Sequence, residues 1–316
     1  MTGKILKILF IFLLFLFFVW TKTNAAGENL NLDIIPEIPG PNQDVIVSVS
    51  SYSYDLDRAS ITWFLNGQKK LTGIGEKSFS FKTGEIGSNN NISVSIYTSD
   101  GVQINKSLNF KPASVDLLWT ALNYTPSFYK GRALPSFGSL VKFTVIPHFS
   151  NNSNLVYDWS SGYKKFPSSS GLGKSSFTFM MGNDLSAEEI TVTVSNYDQS
   201  ELAVASVNVV PVETEIVFYK DDPLKGPQYN NVLSGEFSLT EENIILRAEP
   251  FYFSISDLTK LVYDWFMNDN SVKAESLPNE LSLNTGGQSG SSDVGLNLSN
   301  SSNLFQYATN NIKFNY

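Results

Sequence analysis

The chain has 316 residues, 42 % of them hydrophobic and only 16 % charged, with 23 Phe and 14 Tyr. That composition excludes a disordered chain, which is apolar-poor and highly charged, and it provides material for two or three domains with cores of their own. The formal net charge is −8, no cluster of Lys and Arg offers a basic patch, and no cysteine is present, which disfavours nucleic acid and anionic membrane surfaces as partners and removes disulfides, thiolate nucleophiles and zinc–sulfur sites.

At the N-terminus, Lys4 and Lys7 precede the apolar run Ile8 to Trp20, and Thr21-Lys22-Thr23-Asn24-Ala25-Ala26 follows with small residues. Basic, then apolar, then small is the order of a secretory signal, so residues 1–25 are expected to be a signal peptide cleaved after Ala25. The competing reading is a retained membrane anchor, against which the run is short of the roughly 20 apolar residues a spanning helix needs. Either way the chain is expected to be exported, at the cell surface or outside it, and a cysteine-free exported chain suits a bacterial envelope.

From Leu30 onward the pattern is period-two alternation broken by turn residues, the signature of strands. Leu30 to Ile34, Val45 to Val49, Ile61 to Leu65, Ser78 to Phe81, Ile92 to Ile96 and Ile104 to Phe110 read as strands, and Asn66-Gly67 suits a tight hairpin turn. Short strands at this spacing, with no helical periodicity, fit an immunoglobulin-like sandwich.

The order then repeats. Val141 to Val145 matches Val45 to Val49, and Gly73-Ile74-Gly75-Glu76-Lys77-Ser78-Phe79-Ser80-Phe81 aligns with Gly171-Leu172-Gly173-Lys174-Ser175-Ser176-Phe177-Thr178-Phe179. Leu155-Val156-Tyr157-Asp158-Trp159 recurs as Leu261-Val262-Tyr263-Asp264-Trp265, with Ile61-Thr62-Trp63 as a looser relative. The interval, roughly 100 residues, is too long for a stacked solenoid. The fold class expected is all-β: three tandem antiparallel β-sandwiches spanning residues 27–112, 113–211 and 212–316, with short junctions at Pro112 and Pro211 that leave little flexible linker.

In the repeated pentapeptide, alternation puts Leu, Tyr and Trp on one face and Val and Asp on the other. Trp63, Tyr157, Trp159, Tyr263 and Trp265 are therefore expected in the cores rather than on a sugar-binding platform. The Tyr-Asp-Trp strands resemble those of polycystic-kidney-disease (PKD) type immunoglobulin-like domains of bacterial surface proteins. Ser160-Ser161-Gly162 and Phe266-Met267-Asn268 stand where that family has a glycine-aspartate run. The three-module arrangement also resembles uncharacterised exported bacterial proteins, for which the resemblance implies no activity.

Two aromatic segments exceed a minimal sandwich. Residues 124–135, with Phe128 and Tyr129, and residues 218–229, with Phe218 and Tyr219, stand at equivalent places in modules two and three, and both carry Pro and Lys-Gly. Read as surface loops, they are the candidate ligand contacts. Elsewhere the inventory is thin. Gly73/Gly75 and Gly171/Gly173 lack the third glycine and the helix of a dinucleotide loop. Asp55 with Asp57, and Asp221 with Asp222, lack the spacing of a calcium site, and His148 is the only histidine. No catalytic residue, cofactor or metal is expected. The reading is a non-enzymatic structural or adhesive surface protein with a protein or glycan partner. Its alternatives are a glycan-binding array that uses the aromatic inserts and an envelope hydrolase that uses surface carboxylates.

Overall fold

The computed structural model describes residues 30–239 and 241–316, so the expected signal peptide lies outside the described residues. Among these residues the elements are strands, apart from one 3-10 turn at Ile255–Lys260, and no helix is long and apolar enough to cross a membrane. The chain divides between Ala113 and Ser114 into two compact units.

The first unit contains β1 (Leu30–Ile35), β2 (Asp44–Ser51), β3 (Ser60–Leu65), β4 (Gln68–Ile74), β5 (Ser78–Lys82), β6 (Asn90–Tyr97) and β7 (Gln103–Pro112). One sheet has the order β1-β2-β5, and the other runs β7-β6-β3-β4, all antiparallel. Alternation places Val45, Val47 and Val49 of β2 in the core with Ile61 and Trp63 of β3 and Val94 of β6. Asn66 and Gly67 both have positive φ, 52° and 76°, in the two-residue turn joining β3 to β4, as that pair of residues favours.

The second unit holds two further sandwiches. In the first of them are β8 (Ser114–Ala121), β9 (Leu140–His148), β10 (Val156–Ser161), β11 (Lys164–Lys165), β12 (Gly171–Leu172), β13 (Ser176–Met180), β14 (Glu188–Ser195) and β15 (Glu201–Val209). The sheet β13-β9-β8 faces strands in the order β11-β10-β14-β15, with β12 also on β10. Phe143, Trp159, Phe177 and Val192 fill the space between.

In the other are β16 (Glu215–Asp222), β17 (Gly226–Leu233), β18 (Gly235–Ser238), β19 (Asn243–Phe251), β20 (Leu261–Met267), β21 (Asn270–Val272), β22 (Glu280–Asn284), β23 (Ser291–Asn300) and β24 (Asn303–Asn315). Its sheets run β17-β16-β19-β22 and β18-β24-β23-β20-β21, and β18 pairs with β24 in parallel. Here the sequence expectation needs correction. Residues 218–229 are not a loop: Phe218 and Tyr219 lie on β16, and the chain turns at residues 223–225 into β17. The last strand, β24, is the longest of this sandwich, 13 residues from Asn303 to Asn315.

Each sandwich closes on its tryptophan in the same way. Trp63 and Trp159 are fully buried, Trp265 is 1 % exposed, and each indole N–H donates to a backbone carbonyl of the following hairpin or loop: Glu76 (2.8 Å), Lys174 (2.9 Å) and Pro278 (2.9 Å). A buried indole needs such a partner. Tyr157 is buried beside Trp159, whereas Tyr263 is only partly buried against its core. The glycine pairs provide the turn behind this contact. Gly75 (φ 72°) and Gly173 (φ 69°) hold left-handed backbone and donate to the carbonyls of Ala59 and Leu155. A Cβ on Gly75 would stand 3.1 Å from the Asp57 carbonyl oxygen.

Candidate functional site

Three of the four aromatic residues expected to contact a ligand, Phe128, Tyr129 and Tyr219, converge on one place within the second unit, a joint between its two sandwiches, whereas Phe218 turns into the core of the last sandwich. Leaving β8, the chain crosses onto the last sandwich. The Tyr124 N–H donates to the Phe253 carbonyl (2.7 Å), the Tyr252 N–H to the Tyr124 carbonyl (2.8 Å) and the Val212 N–H to the Pro135 carbonyl (2.8 Å). Between these ties, Phe128 lies flat on Tyr229 with ring centroids 3.8 Å apart and meets Tyr219 (5.5 Å) and Phe251 (6.5 Å) edge-on. Tyr129 packs edge-on against Phe251 (5.4 Å), and its hydroxyl is 3.3 Å from that of Tyr252. The far end of the segment returns to β8, where the Arg132 guanidinium sits 3.3 Å over the Trp119 ring.

Phe128 and Tyr129 are therefore half-buried clamps. Phe218 is fully buried and stacks on Trp265 (5.8 Å), and Tyr219 is 4 % exposed. None of the four is displayed as an open platform. The physical reason is apolar area: a loop with two adjacent aromatic rings gains more from covering a neighbouring sheet face than from facing water.

Beneath the rings lies a buried polar network that sequence reasoning missed. Gln306 is fully buried; its Nε2 donates to the Ser136 (3.0 Å) and Ser254 (2.8 Å) hydroxyls, while its Oε1 accepts from the Ser254 N–H (3.1 Å) and Asn300 Nδ2 (2.9 Å). Asn123 Nδ2 donates to the carbonyls of Tyr252 (2.8 Å) and Leu134 (2.9 Å), and the Ser136 hydroxyl also donates to Tyr252 (2.7 Å). Tyr252 holds a left-handed φ of 66°, a conformation that costs a bulky residue about 1–3 kcal/mol and is maintained by those hydrogen bonds. Low dielectric makes satisfied bonds of this kind strong and an unsatisfied one costly. No periodic pattern marks such residues; the only sequence signal is polar side chains inside otherwise apolar strands, as at Gln306 in β24.

Beside the network, Arg247 of β19 faces three carboxylates. Its Nε donates to Glu249 Oε1 (2.7 Å) and its guanidinium also reaches Asp221 (3.0 Å) and Glu280 (2.6 Å). Burial alone would lower the Arg247 pKa, but hydrogen bonds to Glu249 and Asp221 outweigh it and hold the group above its ordinary value. The Tyr229 hydroxyl donates to Glu249 (2.9 Å), and burial, reinforced by that carboxylate, pushes it up to about 12. Burial likewise pushes Tyr263 up to about 12 and raises Tyr124 and Tyr219. These phenols stay neutral, Tyr229 donates from its hydroxyl, and the carboxylates are spent on Arg247, so the cluster fastens β16, β19 and β22 together.

The remaining candidates are dispersed. Asp55 accepts the Asp57 N–H through Oδ1 and pairs with Arg58 through Oδ2, and Asp57 pairs with Lys77 (2.8 Å). Asp222 caps the turn through the N–H groups of Leu224 and Lys225, and these bonds lower its pKa. His148 pairs with Asp116 (2.9 Å) on an exposed strand end. Among the described residues no three His, Asp or Glu side chains converge to hold a metal ion.

No family model and no curated protein matches the chain. Solved structures that overlay on it loosely include the fibronectin(III)-like modules of Clostridium thermocellum CbhA, at 12 % identity over 57 % of this chain and 94 % of that one, with a TM-score of 0.29. Three N-terminal domains of the bacteriophage RB49 highly immunogenic outer capsid protein overlay at 12 % identity over 90 % of this chain and 98 % of that one, TM-score 0.28. The central fibronectin-III array of RIM-binding protein overlays at 12 % over 90 % and 95 %, TM-score 0.29. Overlaps this loose carry no inference about activity or ligand.

Proposed function

We propose that the chain is an exported structural or adhesive surface protein built of tandem immunoglobulin-like modules and has no catalytic role. The observation that carries this reading is the joint. The aromatic and polar side chains most suited to chemistry are consumed in fastening two sandwiches together, and the charged ones in fastening the strands of one of them, which suits a load-bearing spacer or a display scaffold. The basic-apolar-small order of residues 4–26 supports export.

Two measurements test it. In cells producing the full chain, protease added outside is expected to degrade the protein while a cytoplasmic marker survives, and N-terminal sequencing is expected to begin at Ala26. Protection equal to that of the marker overturns the surface assignment. In the purified protein, limited proteolysis is expected to cut near residue 113 and spare the junction at Pro211, which the Val212 to Pro135 bond holds. Rapid cutting at Pro211 removes the fastened pair on which the scaffold reading rests.

A further inference from the structure

The outer face of the sheet β18-β24-β23-β20-β21 carries a cleft that the joint does not use, with a volume of about 480 Å³, inside the range of roughly 300–1,000 Å³ usual for ligand sites. Its floor is set by register. Phe266 of β20 pairs with Gly295 of β23, and Gly295 pairs with Asn311 of β24, so an aromatic ring and an amide stand two strand spacings apart, roughly 10 Å, with no side chain between them. The next rung places Asn297 opposite Thr309, and Asp269 and Asp293 complete one end.

Gly295 is the informative residue. Its φ is not positive, so the backbone does not require glycine. A Cβ there would meet only the Asn310 carbonyl oxygen at 3.8 Å and the Asn311 Cβ at 4.0 Å, ordinary contacts, so packing does not require it either. Glycine inside a strand forfeits backbone entropy and packing, and with conformation and crowding both discharged, the remaining use is close approach by something outside the fold.

The lining selects the class of ligand. It includes two carboxylates and no basic side chain, which opposes phosphate, sulfate and uronate groups. Two acids without a third oxygen-donor acid do not make a metal site. Carboxylate and amide pairs match the vicinal hydroxyls of a sugar, which donate and accept at once, and the half-buried Phe266 ring offers an apolar face to its C–H surface. We infer that this cleft binds a short stretch of neutral hexose oligosaccharide, with one pyranose ring seated over Gly295 between Phe266 and Asn311. The site is independent of the export and scaffold reading.

The test begins with the purified full-length chain on an array of neutral gluco-, galacto-, manno- and N-acetylhexosamine oligosaccharides, followed by calorimetric titration of the best binder. Saturable binding to at least one neutral oligosaccharide is expected, unaffected by sulfated or uronate-containing competitors. Gly295→Val fills the space without disturbing the backbone, so it is expected to keep the wild-type melting temperature and weaken binding at least about tenfold, a loss that a changed contact of ordinary size produces. Phe266→Ala and Asp293→Asn, each checked for an unchanged melting temperature, are expected to weaken it similarly. The inference is overturned if no neutral oligosaccharide binds, if binding is unchanged in a folded Gly295→Val protein, or if calcium chloride alone titrates into the cleft and Asp293→Asn abolishes that heat.

Discussion

Residues 124–135 and 218–229 share adjacent aromatics, a proline and a Lys-Gly step at matching points of duplicated modules, yet one is a clamp laid over a neighbouring sheet and the other is a hairpin within its own. The difference lies in what each aromatic pair can reach. Phe218 continues the alternation of β16 behind Ile216, so one ring enters its own core against Trp265. Phe128 follows Pro126 outside any strand and finds its apolar surface only on the other sandwich, against Tyr229. Duplicated sequence thus sets where an elaboration occurs, while the first available apolar face decides what it becomes.

Alanine substitution separates the two roles. Phe218→Ala removes a fully buried ring and is expected to cost about 3–5 kcal/mol, whereas Phe128→Ala, at a half-buried clamp, is expected to cost about 1–2 kcal/mol. Denaturant midpoints of the 114–316 unit within the full chain measure both, and equal losses would erase the distinction between hairpin and clamp. Next comes the charge cluster that anchors the hairpin. Arg247→Met strands Glu249, which is 4 % exposed, and is expected to destabilise by about 3 kcal/mol. Adding Glu249→Gln should recover part of that loss; no recovery would mean the carboxylate is not the cause.

On the clamp side, Gln306→Leu leaves the Ser254 N–H and Asn300 Nδ2 without their acceptor and is expected to cost about 1–3 kcal/mol. It should also expose the Pro211 junction to protease, which a change confined to the core would not do. The smallest effect concerns Tyr229. Its folded pKa lies above the ordinary value of 10.0, at about 12. The stability linked to it is fully present below pH 10 and is lost as pH rises toward 12, because the unfolded chain releases its proton first. Unfolding followed from pH 9 to 12 should fall more steeply in the wild type than in Tyr229→Phe. Identical slopes would place that hydroxyl in contact with water rather than with Glu249.

Period-two alternation made the core strands legible: β2, β3, β6, β9, β10, β14, β20 and β23 all contain segments readable as strands from sequence, because the same spacing that buries one face also writes the pattern. The repeated Tyr-Asp-Trp placed the strand that carries each tryptophan. β17 was not legible, since Gly226-Pro227-Gln228-Tyr229-Asn230-Asn231 has the composition of a turn and becomes a strand only because β16 offers it an edge. The parallel pairing of β18 with β24 joins residues 235–238 to 312–315, a long-range match without a local signature. The joint was invisible for a related reason: Asn123, Ser136 and Gln306 are ordinary polar residues until burial makes each one's partner obligatory. The cleft on β23 was hidden as well, because Gly295 reads simply as a weak strand residue until its surroundings are measured.

The three indole hydrogen bonds turn each tryptophan into a clock. An Nε1 proton bonded to a hairpin or loop carbonyl inside the core exchanges with deuterium only when that hairpin or loop lifts from its sheet, so the indole protons of Trp63, Trp159 and Trp265 time the opening of three separate sandwiches in one undisturbed molecule. If the joint transmits stability, the last two clocks keep the same time, and loosening Gln306 sets them apart.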